Sequence, residues 1–174
     1  MEYKENMLCY EDYYRLRKSV DWLNFSEQQA QKALSRSLYT VIAVENDQTV
    51  GMGRLIGDGL YYMIVDVIVH PAYQKNGVGS QIINMIIKYV DNETPVNGRS
   101  SIQLIAEKGK ETFYQKMGFK LIPHDFCGSG MRKVIHKKIP VCRVEKFELS
   151  ELFCGRCLLN GSSRRCNNII DMSI

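Results

Sequence analysis

A chain of 174 residues, 45% apolar and 24% charged, has the length and mix of one soluble globular domain with room for a sizeable core. Its net charge of +4 is small, and no basic run is interleaved with aromatics, which argues against a nucleic-acid partner. No apolar stretch approaches the ~18 residues of a membrane span, and Met1–Asn6 lacks the apolar segment of a signal peptide, so the expected setting is cytoplasmic and reducing.

In chain order, Tyr10, Tyr13, Tyr14 and Leu16 stand among charged residues as an irregular or short helical lead-in. Ser26 is a candidate N-cap, with Gln29 at the third helical position of a capping box, for a helix running to about Ser37. Tyr39–Glu45 reads as a strand, Asn46-Asp47 as its turn, and Thr49–Ile56 as the strand that pairs back. Tyr61–Val69 reads as a central strand, apolar on both faces except for Asp66. Val78, Ile82, Met85, Ile86 and Tyr89 then recur at helical spacing and predict a helix over 78–91 with a core-facing stripe. A strand over 101–106, a helix over 110–117, a strand over 119–122 and a closing strand within 128–135 complete the pattern. Hairpin strands followed by strands alternating with helices imply an α/β (α+β) fold, a mixed twisted sheet with helices on both faces.

The most informative segment lies between the central strand and the long helix. The strand ends at Pro71, and Gln74-Lys75-Asn76-Gly77-Val78-Gly79 leads directly into the helix. The first N–H groups of a helix have no internal partner, and its dipole favours negative charge there, so a strand–glycine loop–helix unit suits a phosphate. Gly77 and Gly79 permit close approach and positive φ, and Lys75 adds a mobile positive charge. A Walker loop is absent, and the dinucleotide fingerprint lacks its third glycine because Ile82 stands there.

A second motif, Phe113-Tyr114-x-x-x-Gly118-Phe119, follows one strand later, with Gly118 suited to a left-handed helix end. Gln-x-x-Gly-x-Gly after a strand ending Val-x-Pro, and then this Phe-Tyr/Gly-Phe pattern, resemble the two signatures of the GNAT acetyltransferase superfamily over about residues 1–137. Gly53-Arg54-Leu55-Ile56-x-Asp58, Asp66-Val67 and His70-Pro71-x-Tyr73-Gln74 are similar to small-molecule members, including the aralkylamine and glucosamine-6-phosphate types. Asn76 departs from the glycine common after Gln-x in that pattern.

The resemblance implies a GNAT fold, acetyl-CoA as co-substrate, and acetyl transfer to the primary amine of a small molecule. It places the cofactor on the backbone of Val67, Ile68 and Val69 and on Gln74, Lys75, Asn76, Gly77, Val78, Gly79 and Ser80. Tyr114 matches the tyrosine that protonates the CoA thiolate in many members; a phenol near ~10 is a reasonable acid toward a thiolate whose conjugate acid lies near ~8.5 to 10. The base is less defined, because Met63 stands where many members carry a Glu. Asp66 is the alternative catalytic carboxylate, and a structural bond to a backbone amide or to Arg54 would equally explain it. Tyr39, Arg54, Tyr61 and Tyr62 are candidates for the acceptor wall, although core packing explains each as well. His70 suits a surface turn better than a proton relay. No metal, nucleic acid or membrane enters this reading of the site, and a homodimer is compatible with the family. Acetylation of protein lysines or N-termini, and a non-catalytic acyl-CoA sensor, are the alternatives.

Cysteine usage shifts sharply near residue 138. Cys142, Cys154, Cys157 and Cys166 crowd the end of the chain, and only Cys9 and Cys127 lie elsewhere. Residues 138–174 are therefore expected to form a separate extension. Cys154-x-x-Cys157 has the spacing of a zinc knuckle, but the distances to Cys142 and Cys166 match no typical finger, and a disordered or docking segment is the preferred reading.

Overall fold

The computed structural model describes residues 1–125 and 127–134. The described sheet and helices lie within Met1–Gly130. The expected boundary near 138 and the four cysteines beyond it, with their zinc or docking reading, lie outside the described residues. No described helix is long and apolar enough to cross a membrane.

Among the described residues, five strands are arranged in chain order: β1 (Glu2–Glu5), β2 (Tyr39–Glu45), β3 (Gln48–Gly57), β4 (Tyr61–Val69) and β5 (Ser101–Leu104). The first four form an antiparallel meander, and β5 joins β4 in parallel. A parallel neighbour needs a crossover, here α3 (Val78–Glu93), which crosses one face of the sheet. On the other face α1 (Tyr10–Lys18) packs on β3 and β4, with α2 (Glu27–Leu34) beside it. The mixed sheet with helices on both faces is thus the expected one. The Ser26 hydroxyl accepts from the Gln29 N–H at 3.4 Å, as the capping pattern predicts. Asn46 and Asp47 both take positive φ (49° and 58°), which matches the twist of a tight hairpin.

The core beneath α3 joins Ile82, Ile83 and Ile86 to Val41, Ala43, Leu55, Tyr62 and Ile64. Two glycines admit the helix: a Cβ at Gly51 would lie 3.1 Å from the Ile82 side chain, and one at Gly53 only 2.6 Å. A second, smaller core joins Tyr13, Leu16 and Ala30 to Ile42, Met52 and Ile68 on the opposite face.

The structure differs from expectation at both ends of the sheet. Glu2–Glu5 forms an edge strand that its single apolar residue, Tyr3, does not announce. Phe119–Ile122, read as a strand from composition, pairs with no strand among the described residues. Leu121 and Ile122 are 55% and 45% exposed, and Pro123, which follows, brings no N–H to a ladder. Residues 128–134 likewise form no strand, and Ile135 lies outside the described residues.

Candidate functional site

β4 bonds to β3 along most of its length but to β5 only over its first half. The parallel register joins Tyr61–Ile64 to Ser101–Leu104, where β5 ends. Further along, the His70 N–H donates to the Val50 carbonyl at 2.8 Å. By alternation Ile68 also spends its backbone groups on β3, and those of Val69 face the side where β5 is absent. Asp66 and Val67 both lie opposite Gly53. The backbone groups of Gly53 face β2, as do those of Leu55, whose carbonyl accepts from Leu38 at 2.8 Å. The Val67 N–H is therefore also left to the open edge.

The chain leaves this edge through a turn (Pro71–Tyr73) in which His70 Nδ1 accepts from the Ala72 N–H at 3.3 Å. That contact accounts for His70 as a turn residue. Gln74 Nε2 donates to the Val69 carbonyl at 2.9 Å and so pins the loop to the strand end. Lys75 and Gly77 both take the left-handed region (φ 65° and 79°), with Asn76 exposed between them. α3 then begins with no side-chain cap. Its first internal bond runs from the Gln81 N–H to the Gly77 carbonyl at 3.0 Å, which leaves the N–H groups of Val78, Gly79 and Ser80 without helical partners. A Cβ at Gly77 would meet nothing within 4 Å, so glycine is needed there for its backbone and the space in front stays open.

The second motif packs against this loop. A Cβ at Gly79 would lie 3.4 Å from Phe113 and 3.6 Å from Val69, so Gly79 is where α3, β4 and α4 (Glu111–Gln115) come together. Tyr114 is half-buried, with edge contacts to Phe113 and Phe119 at ring-centroid distances of 4.9 and 6.1 Å. Burial, reinforced by the charge of Glu107, raises its pKa above the ordinary phenol value. The hydroxyl is protonated at neutral pH and available as a donor. Gly118 (φ 90°) closes the turn after α4.

The residues proposed for the acceptor wall are not brought together. Tyr39 and Tyr62 are buried beneath α3, where Tyr39 stacks on Tyr89 at 4.3 Å, and Tyr61 is 63% exposed at the start of β4. Arg54 lies on the opposite face and is itself buried. Its Nε donates to Asp66 Oδ2 at 2.9 Å, and Arg17 Nη1 donates to Asp66 Oδ1 at 2.6 Å. Both carboxylate oxygens of Asp66 are thus engaged by cations, and its side chain is 11% exposed. Arg17 was not singled out from the sequence. The available signal is its place on α1, where Tyr13, Leu16 and Arg17 share the buried side and so carry an arginine into the core.

Comparison with known proteins gives these features a context. The acetyltransferase (GNAT) domain family matches residues 11–139. The uncharacterised N-acetyltransferase ycf52-like of Prochlorococcus marinus is 29% identical over 114 residues, 63% of this chain and 61% of the relative. The chloroplastic GCN5-related N-acetyltransferase 1 of Arabidopsis thaliana is 32% identical over 100 residues, 55% of this chain and 49% of the relative. The chain therefore spans less than two thirds of the length of these curated relatives. A solved structure from meticillin-resistant Staphylococcus aureus, a probable acetyltransferase of unknown function, superposes with a TM-score of 0.69 at 32% identity, covering 78% of this chain and 98% of that one.

Proposed function

Because the chain belongs to the GNAT acetyltransferase family, we propose that it transfers the acetyl group of acetyl-CoA to the primary amine of a small-molecule acceptor. The observation that carries this reading is the continuity of two unspent sets of backbone donors. The open edge of β4 at Val67 and Val69 runs through the Gln74-pinned loop to the uncapped start of α3. The residues present fit the cofactor: an elongated chain with amides at one end and a pyrophosphate at the other meets a strand edge and then a helix N-terminus. Gly77 leaves the approach clear, and Lys75 adds positive charge beside it.

Acetyl-CoA would supply the activated thioester carbonyl. The N–H groups of Val67 and Val69 are the donors available to a carbonyl oxygen gaining negative charge at that edge, and one such donor in a dry site contributes about 3 kcal/mol. Val78, Gly79 and Ser80, with Lys75, hold the anionic end. Tyr114, bound to the same loop through Phe113 and Gly79, holds the proton required by a departing thiolate. The Arabidopsis relative is named as chloroplastic, so the plastid stands beside the cytoplasm as a compartment to test with the tagged chain.

A thiol-release assay across a panel of small amines tests the reading. Release should require both acetyl-CoA and an amine, and Tyr114→Phe should lower kcat about 100-fold or more without changing the KM for acetyl-CoA. Acetyl-CoA binding with no amine-dependent release would replace the transferase with a sensor. Turnover only on lysine-containing peptides or protein N-termini would move the acceptor from small molecule to protein. Wild-type turnover in Tyr114→Phe would remove the tyrosine from the chemistry.

A further inference from the structure

Asp66 takes a left-handed backbone (φ 52°) in the middle of the central strand, a region that L-residues other than Asn and Asp seldom enter. There the register slips so that Asp66 and Val67 together face Gly53. The slip reverses the facing of β4: Tyr62 and Ile64 point to α3 before it, and Val67 and Val69 do so after it, which turns Asp66 and Ile68 to the α1 face.

Two cations meet the carboxylate at this irregularity. Arg17 grips one carboxylate oxygen of Asp66 and also donates to the Leu23 carbonyl at 2.6 Å, in the connection between α1 and α2. Arg54 grips the other oxygen and also donates to the Ala33 carbonyl at 3.1 Å and the Ser37 hydroxyl at 2.7 Å, at the end of α2. The Arg17 guanidinium faces the rings of Tyr13, Trp22 and Phe25 at 5.4, 5.2 and 4.9 Å. Two buried cations on one buried anion are a poor device for stability alone, because desolvation offsets much of the attraction. They are a good device for fixing one geometry.

We propose that Arg17, Arg54 and Asp66 form a positioning device for acetyl transfer. The three lock the irregularity in β4 so that the Val67 N–H stays turned to the open edge, and they tie the α1–α2 connection and the end of α2 to that same point. Asp66 is then a positioning residue whose carboxylate is consumed by the two arginines, and it takes no proton from the acceptor. The proposal rests on the transferase reading above and assigns a role within it to residues that do not touch the cofactor loop.

Asp66→Gly and Asp66→Ala separate the possibilities. Glycine adopts positive φ freely, and alanine does not. If the geometry of β4 is what matters, kcat should be at least tenfold lower in Asp66→Ala than in Asp66→Gly, with the KM for acetyl-CoA within twofold of wild type in both. Equal collapse of the two variants together with wild-type kcat in Arg54→Lys would overturn the proposal in favour of a carboxylate that reacts directly, and wild-type kcat in both Asp66 variants would overturn it as unnecessary. If Asp66→Ala does not fold, Arg54→Lys keeps the charge but gives up the branched grip. It should lose at least fivefold in kcat at unchanged KM, and wild-type kcat there would overturn the proposal. Amide hydrogen exchange in Asp66→Asn gives a readout independent of turnover: residues 64–70 and 19–26 should lose protection together. If wild-type protein releases no thiol with any amine, the transferase reading fails, and exchange alone decides the coupling. Loss confined to 64–70, or no loss, would overturn it.

Discussion

Beneath α3 the sheet presents Val41, Leu55, Tyr62 and Ile64 to Ile82, Ile83 and Ile86, an apolar contact almost wholly closed to water. On the opposite face the aliphatic core is smaller, and two arginines and an aspartate occupy its depth beside Tyr13 and Met52. The first face is held by area and packing, which are non-directional and accept many side chains of about the right volume. The second is held by hydrogen bonds that exist in one arrangement only. The backbone at the open edge of β4 lies between them, with helix position fixed from one side and strand irregularity from the other.

The largest expected effect comes from unbalancing the charged face. Arg54→Ala leaves Asp66 with one buried cation and removes the bonds to Ala33 and Ser37, and should destabilise the protein by about 3–5 kcal/mol in denaturant unfolding. Removing every charge together (Arg17→Met, Arg54→Met and Asp66→Asn) should recover more than half of that loss, because no uncompensated ion remains. If the triple variant is the least stable of the set, the ion pairs contribute net stability and the contrast between the faces weakens. On the apolar face Ile82→Ala, at a fully buried position, should cost about 3 kcal/mol and leave kcat nearly unchanged at temperatures where the protein stays folded. A kcat loss there as large as in the charged-face variants would show that both faces position the edge.

A smaller effect is expected at the seam. Gly77→Ala meets no steric obstacle, since nothing lies within 4 Å of the new atom, and the only penalty is the left-handed φ of 79°. At about 1–2 kcal/mol, it should raise the KM for acetyl-CoA between about fivefold and thirtyfold with kcat unchanged. An unchanged KM would mean that the loop binds through its side chains and not through its backbone.

Legibility in the sequence follows the same division. The apolar face was readable because its information is periodic: the stripe of Val78, Ile82 and Ile86 specifies α3, and the β-branched runs specify β2 to β4. The cofactor loop was readable because its work falls on the backbone, and glycines at 77 and 79 are how a sequence records backbone requirements. The charged face was half readable: a bond of Asp66 to Arg54 was one of the two readings of that carboxylate and is present, but Arg17 and Asp66 meet across 49 positions and no spacing rule pairs them. The slip at Asp66 was equally silent; a strict two-residue alternation would set Tyr62, Ile64 and Asp66 on one face, whereas the structure turns Asp66 to the other. Glu2–Glu5 became a strand through its partner β2, where tertiary context overrode composition, whereas Phe119–Ile122 has no strand partner among the described residues.

The smallest effect concerns a second polar anchor of α1. The Thr49 hydroxyl donates to one oxygen of Asp12, and Arg15 Nη2 donates to the other at 2.6 Å while also reaching the Thr49 carbonyl at 2.8 Å. Partial burial pushes the Asp12 carboxyl upward, but these hydrogen bonds and the Arg15 charge outweigh it and hold the pKa below its ordinary 3.8. A carboxylate that ionises more readily folded than unfolded stabilises the fold above the unfolded value, and that contribution is lost as pH falls through the folded one. Because the Asp12 side chain is only partly buried and its Arg15 partner is 45% exposed, the contribution should stay below about 1 kcal/mol. Asp12→Asn should therefore melt slightly below wild type at pH 7, and the gap should narrow as pH falls below 3.8. A gap that persists unchanged to pH 3 would assign the anchor to the shape of the side chain and not to its charge. The polar attachment of α1 would then resemble the packing under α3 more closely than the arginine-bound centre of the same face.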